Sequence, residues 1–267
     1  MLAWKPKSND QTVASVRYRC LLPLQKLQDG GFPIALFDQH HADEYRGVIF
    51  SKLYDEGNRR IAARLKSHGA KIVLDICDNH FYNPFGLEQY KRVRADLENM
   101  ISLADVVVCS TKQLAEVVTR ESSIRTKPFV IGDPIESLPS VKSVDGVIHA
   151  TMWNTQHIAG VGECPRLLWY GSHGSPNAPG GMLDILNVAS ILERVNLRVP
   201  FELVVLSNNK PKYDEHIAPL PFRTVYREWR YDSFRNEIES AAAVIVPITP
   251  NDFTLCKSNN RVVLALQ

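Results

Sequence analysis

Four short stretches of this 267-residue chain carry residue types suited to holding an anion or moving a proton. The first is Gly171-Ser172-His173-Gly174, continued by Asn177 and Gly180-Gly181, which follows an apolar run and opens a helical one. Glycines there let a phosphate approach free backbone N–H groups, and a helix N-terminus favours negative charge. The spacing matches neither the P-loop nor the dinucleotide fingerprint, so taken alone a flexible strand-to-helix loop is the simpler reading.

The second stretch is Lys257-Ser258-Asn259-Asn260-Arg261. If Ser258 caps the last helix, Lys257 and Arg261 stand four residues apart at its N-terminal end and face the same side. Two cations there oppose the helix dipole at about 0.3–1 kcal/mol per charge. Charge-assisted hydrogen bonds to a diphosphate would reverse that sign, at about 1.5–3 kcal/mol each. A solvated basic turn that tolerates the small penalty is the alternative.

The third stretch is Asp75-Ile-Cys-Asp78-Asn79-His80-Phe81, at the end of an apolar strand. Polar side chains at a strand's C-terminal edge are placed to meet a ligand, and a histidine of near-neutral pKa can donate or accept a proton. Against this, Asp78 and Asn79 shape a turn and His80 packs beneath it. The fourth is Ser15-Val-Arg17-Tyr-Arg19, early in the first helix, where guanidinium forks suit phosphate or carboxylate; exposed helix-surface arginines are the more ordinary reading.

The elements that must position these residues alternate between short β-rich runs and helical periods, the pattern of a parallel sheet with crossover helices. Strands are expected at 2–4, 34–37, 47–51, 71–76, 106–109 and 129–131, then at 166–170, 202–206, 224–226 and 244–247. Val13, Val16, Cys20, Leu21, Leu24 and Leu27 line one face of a first helix that Gly30-Gly31 ends. Ser110 with Gln113 reads as a capping box. Further helices are expected over 181–195 and 232–242, and a last one opens near Ser258. From Asp133-Pro134 to about Pro165 the pattern dissolves into Pro, Ser, Gly and His, as in a linker. This gives a first lobe over 1–160 and a second over 161–267. The last helix shows no stop signal by Gln267, from which a second lobe cut short at the C-terminus is expected.

Bulk composition narrows the function classes. A net charge of +2, from 31 basic and 29 acidic residues, gives no reason to expect nucleic-acid binding. Five isolated cysteines read as reduced cytosolic thiols. The N-terminus is polar, with Lys5 and Lys7, and no apolar run reaches about 18 residues, so neither a secreted nor a membrane-spanning protein is expected. These features are compatible with a cytoplasmic protein in peripheral contact with the inner face of a membrane that carries the acceptor.

Taken in order, Ser15-x-Arg17-x-Arg19, Leu74-Asp75-Ile-Cys-Asp78-Asn-His80-Phe, Ala104-Asp105-Val-Val-Val-Cys-Ser110-Thr111, Val130-Ile-Gly-Asp133-Pro134-Ile-Glu136, Leu168-Trp-Tyr-Gly171-Ser-His-Gly174 and Lys257-Ser-Asn-Asn-Arg261 resemble the GT-B glycosyltransferases, in particular the retaining, family-4-like branch. The resemblance implies an α/β protein of two Rossmann-like lobes. It implies transfer of a sugar from a UDP- or GDP-sugar to a hydroxyl acceptor, a glycan or glycolipid, in polysaccharide or glycoconjugate assembly, with no metal and no further cofactor. Gly171, Ser172, Gly174, Lys257, Ser258, Asn259 and Arg261 would then bind the donor. His80 and Asp78 would be catalytic, and Arg17 and Arg19 would lie on the acceptor side. The chain departs from the pattern where two glutamates eight positions apart are usual, for Cys256 and Leu264 stand there. An inactive GT-B-like binding module and a sugar-nucleotide epimerase of similar fold are the rival readings.

Overall fold

The computed structural model describes residues 1–136, 164–172, 174–178 and 180–267. Most of the expected linker, the boundary near residue 160, and His173 lie outside the described residues. The chain divides into two compact units, Met1–Glu136 with Pro250–Asn260, and Ser137–Thr249 with Arg261–Gln267.

The first unit holds six parallel strands, β1 (Leu2–Lys5), β2 (Ile34–Leu36), β3 (Gly47–Ser51), β4 (Lys71–Ile76), β5 (Val106–Cys109) and β6 (Phe129–Val130), in the order β2-β1-β3-β4-β5-β6. Val48, Phe50, Ile72, Leu74, Ile76 and Val107 are buried because a parallel sheet is covered on both faces, which is why these strands read as near-continuous apolar runs. Each such side chain contributes about 1.5–3 kcal/mol on burial. The chain passes from β1 to β2 on one side and returns to β3 on the other, so the topological switch point falls between β1 and β3.

The second unit holds β7 (Arg166–Tyr170), β8 (Glu202–Ser207), β9 (Thr224–Glu228) and β10 (Ala243–Val244), all parallel, in the order β10-β7-β8-β9. β8 is buried along its whole length, as its Leu-Val-Val-Leu centre requires. The switch point here lies between β7 and β10. β10 is shorter than the expected 244–247; Pro247 cannot donate to a ladder.

Three helix expectations are corrected. The first helix is not continuous α: a turn at Ala14–Val16 leads into a π-helical stretch, Arg17–Leu21, before the α-helix Leu22–Asp29. Pro23 has no N–H for the Arg19 carbonyl four residues back, and Leu22 N–H reaches the Arg17 carbonyl five residues back. The Arg19 carbonyl accepts from Ser51 Oγ at 3.2 Å. Thr111, not Ser110, caps the helix Lys112–Glu121, its hydroxyl accepting Leu114 N–H at 3.1 Å, whereas Ser110 is buried at the strand end. The helix expected over 181–195 starts as 3₁₀ over Gly181–Val188 and becomes α at Ala189–Asn196. Asp184 draws in the Gly181 N–H at 2.8 Å and the Thr249 N–H at 3.2 Å, and this local pairing competes with α geometry.

Ser51 accepts from Trp4 Nε1 at 2.8 Å and lies 3.2 Å from both the Arg19 carbonyl and Asp75 Oδ2, joining the ends of β1, β3 and β4. Ser51→Ala leaves buried polar atoms unmet and is expected to lower stability by about 1–3 kcal/mol in urea unfolding.

Candidate functional site

The first unit gathers its polar side chains at the C-terminal edge of β1, β3 and β4, beside the switch point. Asp78 follows β4 and is largely buried, with Lys52 Nζ on one carboxylate oxygen and Lys257 Nζ on the other. Burial alone would raise the Asp78 carboxyl, but the two ammoniums overcome it and hold it well below the usual carboxylate range. Burial also opposes the charge of Lys52, yet its pKa is raised because the Asp78 carboxylate favours the ammonium form. Lys257 in addition sits 4.4 Å from the Phe253 ring centroid, a cation–π contact.

His80 lies on the same edge, its Nδ1 paired with the Tyr54 hydroxyl. Burial and the charges of Lys52, Lys257 and Lys7 push its pKa down to about 3. The near-neutral histidine expected from sequence is thus corrected: at physiological pH the imidazole is neutral and held by a phenol. It can polarise or accept a hydrogen bond, while its protonated form is disfavoured. Asn79 does shape the turn, its Oδ1 accepting Phe81 N–H at 3.1 Å, and its amide donates to the Asp252 carbonyl at 3.0 Å.

Arg17 and Arg19 are not surface residues; both are buried, because the π-turn and the helix it joins direct them inward. Arg17 Nε pairs with Glu136 at 3.0 Å, and Tyr18 Oη donates to the same carboxylate at 2.8 Å. Arg19 spreads its fork across both oxygens of Asp75, Asp133 Oδ1 at 3.1 Å and the Ile131 carbonyl at 2.7 Å. The carboxylates these forks were expected to meet are therefore the chain's own. Burial keeps the Asp75 carboxyl above its ordinary range in spite of Arg19, with the nearby Asp133 charge acting in the same direction.

The motif at 257–261 is taken up differently from the helical arrangement expected. Lys257 is extended, and the last helix, Asn260–Ala265, begins two residues after Ser258. Ser258 does not cap it; its hydroxyl donates to Asp133 Oδ2 instead. The four-residue helical register that put Lys257 and Arg261 on one face therefore does not exist. Lys257, Ser258 and Asn259 group with the first unit and Arg261 with the second.

In the second unit Arg261 Nη1 donates to the Tyr170 carbonyl at 3.3 Å, and Tyr170 Oη donates to the Arg261 carbonyl at 2.5 Å. This places a guanidinium at the end of β7, at that sheet's switch point, where burial lowers its pKa. Any Cβ at Gly171 would stand 2.9 Å from Arg261 Nη1. At Gly174 the backbone has φ +90°, and a Cβ would meet the Gly180 carbonyl oxygen at 2.7 Å, so only glycine closes this loop. Ser172 precedes that closure, and Asn177 is buried within the loop beside Ser175 Oγ at 2.8 Å.

Sequence reasoning missed Lys52 and Tyr54. Lys52 has φ +55°, the one positive value among described non-glycine residues, directly after β3. A lysine after a strand carries no motif, so only its place beside β1 in the sheet order reveals it. Among the described residues no cluster of His, Cys, Asp or Glu is placed to hold a metal ion, the five cysteines are free thiols, and no helix is long and apolar enough to cross a membrane.

No protein-family model matches the sequence, and no curated protein matches it significantly. Solved structures do match in fold. The chain is similar to HepE of Anabaena in complex with UDP, at 11% identity and a TM-score of 0.56, covering 91% of this chain and 72% of that one. It is similar to a glycosyltransferase of Rickettsia africae at 12% identity and a TM-score of 0.53, covering 94% and 74%. UDP-GlcNAc 2-epimerase of Neisseria meningitidis, bound to UDP-GlcNAc, follows at 10% identity and a TM-score of 0.48, covering 98% and 89%, too low a score to argue from. With its two parallel Rossmann-like sheets, the chain has the α/β fold of GT-B proteins.

A histidine whose folded pKa is lowered stabilises the fold in full above its unfolded value, about 6.5, and loses that contribution as pH falls toward the folded value. His80 is therefore expected to show neutral-imidazole NMR shifts down to about pH 4, and stability to decline below about pH 6.5 with a slope that His80→Gln reduces.

Proposed function

We propose that the protein is a glycosyltransferase that moves a sugar from a nucleoside diphosphate donor to a hydroxyl acceptor on a glycan or glycolipid. The observation that carries the reading is that each sheet keeps its polar, charged groups at the C-terminal edge beside its switch point, the location at which such sheets take ligands. The fold likeness to HepE, whose structure holds UDP, makes UDP the first nucleotide to test and GDP the second.

On this reading Arg261 meets the donor diphosphate, with Gly171, Ser172 and Gly174 giving it close access to backbone. Lys257, Ser258 and Asn259 keep the donor-side role their motif implies. Cationic stabilisation of charge on the leaving nucleotide is the largest contribution such a site can make. Asp78 and neutral His80 orient the transferred sugar and the acceptor hydroxyl, while Arg17 and Arg19 hold the acceptor side in shape through their carboxylate pairs. No metal and no further cofactor is invoked. The family-4-like branch, a role in polysaccharide assembly and peripheral membrane contact belong to the same proposal.

A second reading, a binding module without turnover, is favoured by Leu264: a buried apolar side chain stands where the resemblance expects a carboxylate. The test is a thermal-shift series with UDP and GDP, followed by nucleotide release from UDP-sugars. UDP at about a hundred times its dissociation constant should stabilise the chain by about 2.7 kcal/mol, and Arg261→Ala should remove most of that shift. Binding with no release over hours supports the module; no response to either nucleotide ends the transferase reading.

A further inference from the structure

The proposed transfer leaves one strongly marked residue without a role. Lys52 is non-glycine, not Asn or Asp, and yet sits in the left-handed region at φ +55°. Such conformations in lysine are costly, persist where the surrounding structure over-determines them, and cluster at functional sites. The position is fixed from several sides: Lys52 N–H donates to the Asp75 carbonyl at 2.9 Å, β3 pairs in register with β4 through Ser51 and Asp75, and Ser51 ties into the Trp4, Arg19 and Asp75 network. The backbone thus turns the ammonium onto the edge beside the switch point.

The charge count on that edge is unbalanced. Asp78 is one carboxylate bridging two ammoniums, Lys52 on Oδ2 and Lys257 on Oδ1, so the trio carries one net positive charge. The other carboxylates nearby are engaged elsewhere, Asp75 by Arg19 and Asp55 by Asn58. Exposed Lys7, just beyond β1, adds a further cation, and His80 stays uncharged.

We infer that Lys52 and its neighbours form an anion site in the first unit, taking a phosphate group carried by the acceptor. Asp78 bridges the two ammoniums, and the phosphate oxygens add to that of Lys52 as charge-assisted acceptors. Calling the bearer an acceptor rests on the transferase reading; the anion binding itself does not. A soluble phosphorylated acceptor and a lipid headgroup share this phosphate chemistry, and the experiment separates the two sources.

The full chain is titrated with glycerol 3-phosphate by calorimetry and, in parallel, co-sedimented with phosphatidylglycerol vesicles. Binding of the soluble monoester assigns the first source, and binding confined to vesicles assigns the second. Lys52→Asn, which suits the left-handed backbone but lacks the charge, should weaken that binding about tenfold or more, and Lys52→Arg should keep it within about threefold. Lys52→Gly replaces the Asn variant if the latter does not unfold cooperatively. No binding of either probe by the wild type, or equal binding by the uncharged variant, overturns the inference. The UDP thermal shift is run on the same samples: its absence in the wild type counts against the transferase reading alone, whereas a retained shift with no phosphate binding by the wild type counts against this site alone.

Discussion

One carboxylate shared by two ammoniums organises the first unit's polar edge. Asp78 is too deeply set to remain ionised on its own, since desolvation favours its neutral form. Lys52 and Lys257 reverse that preference, and they add to the burial that already disfavours protonation of His80, which would put a third positive charge beside them. The Lys257 arm of that pairing also holds the 250–260 segment on the first unit. Asn79 and Thr111 reinforce that docking by donating to the carbonyls of Asp252 and Cys256.

Behind this edge stands a second, more deeply buried network. Pro23 forces the π-turn, the π-turn turns Arg19 inward, and Arg19 ties the end of β4 to the segment after β6 through Asp75, Asp133 and the Ile131 carbonyl. Ser51 fastens β1 and β3 to the same point. Buried ionic groups of this kind add little net stability against apolar replacements, but removing one partner is costly, by about 3–5 kcal/mol. Their effect is to hold strand ends in fixed register under the reactive edge. The second unit reaches a comparable end more simply, with glycines at 171 and 174 that make room for Arg261 and for the Gly180 carbonyl.

Much of this architecture was legible in the residues. Val-Val-Val-Cys at 106–109, Lys-Ile-Val-Leu-Asp-Ile at 71–76 and Arg-Leu-Leu-Trp-Tyr at 166–170 form strands with the expected limits, because continuous β-branched and apolar runs have few other stable uses. The errors arose where tertiary partners outbid local signals. Ser110 carries a capping pattern, but the chain enters its helix one residue later. Ser258 carries another, yet its hydroxyl finds Asp133, far away in sequence. Arg17 and Arg19 look like surface residues until carboxylates from 75, 133 and 136 close over them. Asp78 and His80 were legible as a candidate pair, but the depressed histidine was not, since its causes are burial first and then the lysines at 7, 52 and 257, none of which a local window contains.

The ionisation of Asp78 rests on the two lysines that hold it. It is tested most directly by following the Asp78 side-chain carboxyl carbon by NMR as the pH is lowered. An ordinary aspartate is half protonated at about pH 3.9. The account predicts that Asp78 shows no protonation at about pH 3, and that Lys52→Asn moves its midpoint upward. A wild-type midpoint at the ordinary value would contradict the shared-carboxylate arrangement and the reading of the site built upon it.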